Sequence, residues 1–265
     1  MRKLANLFSA SARLLCISAP ISLLIASLAG CNSNSKDDRY NAMSAEQIYA
    51  QGTKHIDKKR YTEAVEDFEA LESRYPFGEY ADKAQFGALY ALYENEDYPA
   101  ALPAIERFLR MYPRHPHVDY AYYMKGLVHF SESLGLFGKY LPTERAERDP
   151  TSAKKALQAF EILTTHYPHS IYLNDAKLRM VYLRNLLAKH ELAAARFYMK
   201  KGAYLSAANR ANTVITEFDR TASMPEALGI MIKAYRQLEL YTLADDAYAV
   251  LVLNYPQSPL VDQLA

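Results

Sequence analysis

The chain has 265 residues, half of them hydrophobic, with 31 Lys+Arg against 30 Asp+Glu. That size can bury a sizeable core, and the near balance of charge excludes a generally basic nucleic-acid binder. With two cysteines and no Trp, a disulfide-stapled scaffold is excluded as well.

Residues 1–30 read as a signal peptide that is removed. Arg2, Lys3 and Arg13 are its basic part, Leu14 to Leu28 its apolar run, and Leu28-Ala29-Gly30 its small-residue cleavage site. Cys31 follows at once. L-A-G-C in this place is similar to a bacterial lipobox, whose Cys carries a diacylglycerol and an N-acyl chain; an ordinary secretory signal with an incidental Cys is the alternative. Asn32 after the Cys implies onward sorting to the outer membrane. Cys16 leaves with the signal, so the exported chain has no pairable thiol. Residues 31–44 are polar and aperiodic, a flexible tether behind the lipidated Cys. Ser44 followed by Gln47 suits a capping box.

From there one register repeats. Ala64, Phe68, Leu71 and Pro76 recur as Ala101, Ile105, Phe108, Pro113 and as Ala156, Phe160, Leu163, Pro168. A weaker copy runs Ala207, Ala211, Val214, Asp219, and a last one Ala244, Tyr248, Leu251, Pro256. Apolar positions at i, i+4 and i+7 form one stripe of an α-helix, and the proline beyond ends it. The closing positions are 37, 55, 51 and 37 residues apart, against about 34 for a tetratricopeptide (TPR) unit of two antiparallel helices. The fold class expected is all-α: a solenoid of about five TPR-like helix pairs. Residues 45–170 hold pairs one to three, 171–203 a long linker helix, and 204–265 pairs four and five.

Between the first two pairs lies an aromatic turn, Tyr75-Pro76-Phe77-Gly78-Glu79-Tyr80. Tyr75, Phe77 and Tyr80 are candidates for a peptide groove, since such arrays present a concave face; burial between helices is the plainer account, for Tyr75 above all. Ser131 to Thr151 is the longest irregular stretch, with an apolar Leu134–Phe137 patch and a charged run. Asn174 to Lys201 has neither Gly nor Pro and reads as one long helix or two nearly continuous ones. Its Lys177, Arg179, Arg184, Lys189, Arg196, Lys200 and Lys201 face only Asp175 and Glu191. A solvated face explains part of that excess and an acidic partner explains it better, with Arg196, Lys200 and Lys201 on one side of the helix end.

No catalytic constellation is present: no G-x-S-x-G, P-loop, H-E-x-x-H or G-x-G-x-x-G. The pairs His115/His117 and His166/His169 have no Cys or metal-spaced carboxylate beside them. No metal, no cofactor beyond the lipid on Cys31, and no enzymatic activity are expected.

The lipobox, the repeat number, the turn RYPFGEY (74–80), the RDP at 148–150 and the run RNLLAKHELAAARFYMKKGAY (184–204) closely resemble the BamD (ComL) family of outer-membrane assembly lipoproteins, over essentially the whole chain. The resemblance implies a non-catalytic periplasmic scaffold, held at the outer membrane by lipid only. Its partners would be the periplasmic domain of BamA, the lipoproteins BamC and BamE where present, and unfolded β-barrel proteins, with no nucleic acid. The early repeats would receive the C-terminal strand of a barrel substrate, and the later ones would hold BamA. Lys201 falls where relatives can carry Arg; Lys keeps the charge but not the bidentate fork. A TPR lipoprotein adaptor in cell-wall, division or DNA-uptake machinery is the other reading.

Overall fold

The computed structural model describes residues 39–134 and 149–265, and every regular element there is helical. In chain order these are α1 (Ala45–Asp57), α2 (Tyr61–Arg74), α3 (Glu79–Glu94), α4 (Tyr98–Met111), α5 (Val118–Leu134), α6 (Thr151–His166), α7 (Leu173–Lys200), α8 (Tyr204–Glu217), α9 (Met224–Gln237), α10 (Tyr241–Asn254) and α11 (Pro259–Leu264). Consecutive helices pack on one another, giving five pairs, α1/α2 to α9/α10, with α11 laid over the last. The irregular stretch expected at Ser131 is shorter than its sequence suggests, because α5 runs on to Leu134.

The repeated register is the core. Ala64, Phe68 and Leu71, Ala101 and Ile105, Ala156, Phe160 and Leu163, and Ala207, Ala211 and Val214 are all essentially inaccessible. Two kinds of turn join the helices, each dictated locally. Within a pair, the first helix ends on a residue of positive φ: Lys59 (56°), Glu96 (57°), Gly202 (71°) and Glu239 (59°). The next amide reaches back five residues, as in Arg60 N to His55 O (2.8 Å), Asp97 N to Leu92 O (3.0 Å), Ala203 N to Tyr198 O (3.0 Å) and Leu240 N to Tyr235 O (2.9 Å). This is the Schellman closure, and its left-handed position suits glycine. Only one of the four pairs carries glycine there. Glu239→Gly should therefore stabilise the chain by about 1 kcal/mol, and Gly202→Ala should cost a similar amount; urea midpoints at constant m-value check both.

Between pairs, the second helix ends on an aromatic residue in one recurrent conformation: Tyr75 (φ −127°, ψ 64°), Tyr112 (−128°, 56°), Tyr167 (−126°, 63°), Phe218 (−124°, 40°) and Tyr255 (−135°, 52°). Each amide closes on the carbonyl four residues back, and four of the five are followed by proline, which has no amide to continue the helix.

At the N-terminus the capping box is present in full: Gln47 N donates to Ser44 Oγ (3.3 Å), and Ser44 N to Gln47 Oε1 (2.8 Å). Just before it the structure departs from the expected tether. Tyr40 is buried. Its hydroxyl donates to the inaccessible Asp67 carboxylate (2.8 Å), which also accepts from Gln51 Nε2 (2.7 Å) and meets His55 Nδ1 (2.5 Å). Arg74 holds the Tyr40 carbonyl (3.3 Å) and the Asn41 side chain. A buried carboxylate demands partners, and residue 40, expected in the tether, supplies one as part of the packed domain.

Candidate functional site

The structure brings Tyr75, Phe77 and Tyr80 to one turn, in three environments. The Tyr75 hydroxyl donates to Met43 O (2.9 Å), so this ring staples the segment before α1. Tyr80 is half-buried against the Tyr49 ring (5.5 Å between centroids), with Lys83 Nζ 5.1 Å from its own centroid. Lys83 also bonds Glu79 (2.8 Å), which holds that ammonium above its ordinary pKa. Phe77 alone is 90 % exposed. Gly78 beside it has φ 109°, and a Cβ there would meet nothing within 4 Å. The turn thus offers one bare aromatic ring on an anchored base.

Behind it, between the first two pairs, Glu72 accepts from Arg107 Nη2 (3.2 Å) and Gln85 Nε2 (3.4 Å), while the buried Gln85 Oε1 has no hydrogen-bond partner. Met111 lies exposed at the edge of the same groove. Periodicity did not single out these side chains, because they sit on the flank of the core stripe.

The second candidate is the end of α7. Arg196, Lys200 and Lys201 are all exposed, but not equivalent. Arg196 Nη1 donates to Glu226 Oε1 of α9 (2.6 Å), so it already ties the fourth pair to the fifth. Lys201 Nζ lies 5.7 Å from the centroid of the exposed Phe197 ring, and Phe197 is edge-on to Tyr198. Phe197 was not singled out in the sequence, where only the basic residues of this helix stood out. A cation beside an accessible ring, at a helix end, makes a compact basic-aromatic patch.

Farther up the same helix, Asp175 accepts from Arg179 Nε (2.6 Å) and from the Tyr123 hydroxyl (2.8 Å). Burial pushes the Tyr123 hydroxyl up to about 12, reinforced by that carboxylate. Partial burial alone would raise Asp175, but the bonds from Arg179 and Tyr123 outweigh it and hold the carboxyl below its usual value. These groups lock α5 to α7. Glu191, also buried, accepts from Arg210 Nη1 of α8 (2.9 Å), with Lys154 of α6 3.9 Å away. The charge excess read from this helix is in part internal wiring.

His115 Nε2 meets Asp82 (3.0 Å) and lies against Phe86 and Phe108, packing chemistry rather than a ligand set. Among the described residues, no cluster of three metal-ligating side chains occurs, and no helix is long and apolar enough to cross a membrane. Cys31 lies outside the described residues.

A family profile described as YfiO, outer membrane lipoprotein, matches residues 41–259. The chain is 40 % identical over 220 residues to the outer membrane protein assembly factor BamD of Neisseria meningitidis serogroup B, covering 83 % of this chain and 82 % of that protein. It is 41 % identical over 218 residues to the same factor of Neisseria gonorrhoeae, covering 82 % of each. With that of Vibrio cholerae it shares 34 % over 232 residues, 88 % of this chain and 95 % of the relative. With the five-pair helical array and the RYPFGEY turn in place, the chain belongs to the BamD family of outer-membrane assembly lipoproteins.

Proposed function

We propose that the chain is a non-catalytic periplasmic scaffold, fixed to the outer membrane by lipid on Cys31. Its α7 end binds the periplasmic domain of BamA, and its first pairs receive the C-terminal strand of unfolded β-barrel proteins. BamC and BamE, where the organism has them, are its further partners. The observation that carries this reading is the accessible Phe197–Lys201 patch beside Lys200, with Arg196 tied to Glu226 behind it. It presents an aromatic face, a residue type that interfaces favour, beside positive charge that would steer an acidic partner, on a rigid helix end.

Co-purification from detergent-solubilised membranes tests it. Lys201→Glu should weaken retention of BamA by several kcal/mol, because reversal sets like charges together, and a compensating reversal on the acidic partner should restore it. If the lysines only complement the helix dipole, the change costs about 0.3–1 kcal/mol of stability and the complex survives. That outcome overturns the α7 assignment.

For the substrate end, Phe77→Ala should weaken binding of a barrel C-terminal peptide by about 2 kcal/mol. Its melting temperature should not move, since a ring 90 % exposed holds nothing together. Fluorescence anisotropy beside a thermal melt separates the two effects. Lost stability with unchanged affinity would return Phe77 to packing.

A further inference from the structure

α7 carries a single stripe whose steps alternate between four and three residues: Asn174, Leu178, Val181, Asn185, Ala188, Leu192, Ala195 and Met199. That spacing keeps all eight on one side of the helix. The later half is buried: Ala188, Leu192 and Ala195 are inaccessible, and Met199 packs on the core. The earlier half is open, with Leu178 72 % and Val181 60 % exposed.

The pairing with α8 explains the boundary. α7 has 28 residues and α8 has 14. The two run antiparallel, with Arg210 on Glu191 (2.9 Å), and the pairing runs out where Arg184 Nη2 meets Asp219 Oδ1 (2.7 Å), just past the end of α8. Upstream of Arg184 the stripe continues with nothing from α8 to cover it. About 16 Å of helix is left, at 1.5 Å per residue. α8 itself faces inward with Ala207, Ala211, Val214 and Phe218, the same four-three-four steps. A cleft of about 270 Å³ opens where α8 stops, lined by Val181, Arg184, Asn185, Asp219, Arg220 and Thr221.

Around this seat the cations Lys177, Arg179, Arg184 and Arg220 outnumber the carboxylates Asp175 and Asp219. Lys177 is exposed along it, and Arg220, 93 % exposed, projects at its end. Arg184 and Arg220 share the single carboxylate of Asp219 (2.7 and 3.7 Å), and Asp175 is committed to Arg179 and Tyr123.

We propose that the open half of α7 seats an acidic amphipathic helix of another polypeptide, about twelve residues long and lying end to end with α8. The complementary spacing asks for a helix rather than a strand, whose side chains repeat every two residues. The cationic border asks for acidic flanks. The proposal uses none of the residues assigned to BamA or to barrel substrates, so it stands or falls apart from those contacts.

Two fluorescent twelve-residue peptides, each with Leu at the four-three-four positions, test it against the purified full-length chain in detergent. One has Glu at the flanking positions and the other Lys. The Glu peptide should bind at least tenfold more tightly than the Lys peptide, and less tightly as salt rises. Leu178→Asp and Val181→Asp should each weaken it at least tenfold, whereas Met111→Asp, on a distant exposed apolar residue, should not. Leu178→Ser and Val181→Ser stand in should an Asp variant melt early. Equal binding of the two peptides, no binding, or indifference to positions 178 and 181 overturns the proposal. In membranes, a photoreactive phenylalanine at position 181 should form an adduct with an acidic helical segment of another protein. An adduct with lipid, with a second copy, with the chain itself, or none at all overturns it too.

Discussion

Phe68→Ala should lower the unfolding free energy by about 3–5 kcal/mol, the largest single-residue loss expected in the first two pairs. The ring is inaccessible and fills the space of two absent side chains. A Cβ on Gly52 of α1 would lie 2.7 Å from Phe68 Cε1, and one on Gly87 of α3 would lie 2.6 Å from Phe68 Cε2. Phe68 therefore joins its own pair to the next by pressing on bare backbone at both sides. Truncation leaves a cavity walled by two helix backbones, which cannot close without moving whole helices, so the transfer loss and the cavity cost add. The complementary change, Gly87→Ala, should cost about 1–3 kcal/mol by overpacking. Phe68→Leu should relieve part of that cost, since residues in contact couple. Guanidinium denaturation of the three variants measures it, and a loss below about 1 kcal/mol for Phe68→Ala would contradict the interlock. Phe160 faces Gly126 of α5 in the same way, so the third pair is built alike.

What was legible in the sequence follows from range. The stripe Ala64, Phe68, Leu71 and its copies depend on contacts between neighbouring helices, and a 3.6-residue period records those directly. The turns were legible for the same reason: Ser44 and Gln47 satisfy each other three residues apart, and Tyr75-Pro76 ends α2 locally. Tyr40 was not legible. Its partner Asp67 is 27 residues on, and no local pattern says that a lone tyrosine in a polar stretch answers a buried carboxylate. The tie of Arg196 was not legible either, because Glu226 lies 30 residues away on another helix. α7 shows the division within one element. Its length was readable from the absence of Gly and Pro. Which half of its stripe stays bare depends on where the shorter α8 stops, and only the packed pair shows that. In the aromatic turn the sequence marks three rings, and the structure spends two of them on packing and hydrogen bonding.

Cys31→Ser should release the chain from the membrane while leaving it folded. The chain belongs to an outer-membrane lipoprotein family, and no described helix can span a bilayer. Each buried acyl CH₂ contributes about 0.8 kcal/mol, a single chain binds only marginally, and a second makes the attachment stable. Removing the one sulfur proposed to carry them would remove the whole partition energy at once. Folding should not notice, because the described contacts that pin the start of the domain come from other residues: Arg39 faces Glu66 (3.8 Å), Tyr40 reaches Asp67, and Arg74 holds Tyr40 and Asn41. From Cys31 to Tyr40 the chain can span at most about 30 Å at full extension, so a lipid on Cys31 would hold the first helix pair near the bilayer, and the Ser variant would lose that restraint. The expected result is a protein with the wild-type melting curve that stays in the supernatant when membranes are pelleted, or that accumulates with its signal peptide uncut. Mass spectrometry of the wild-type mature chain should find the acyl mass on an N-terminal Cys31. An unmodified Cys31 there, or a Ser variant that still pellets with membranes after a high-salt wash, would mean that something other than this lipid attaches the scaffold.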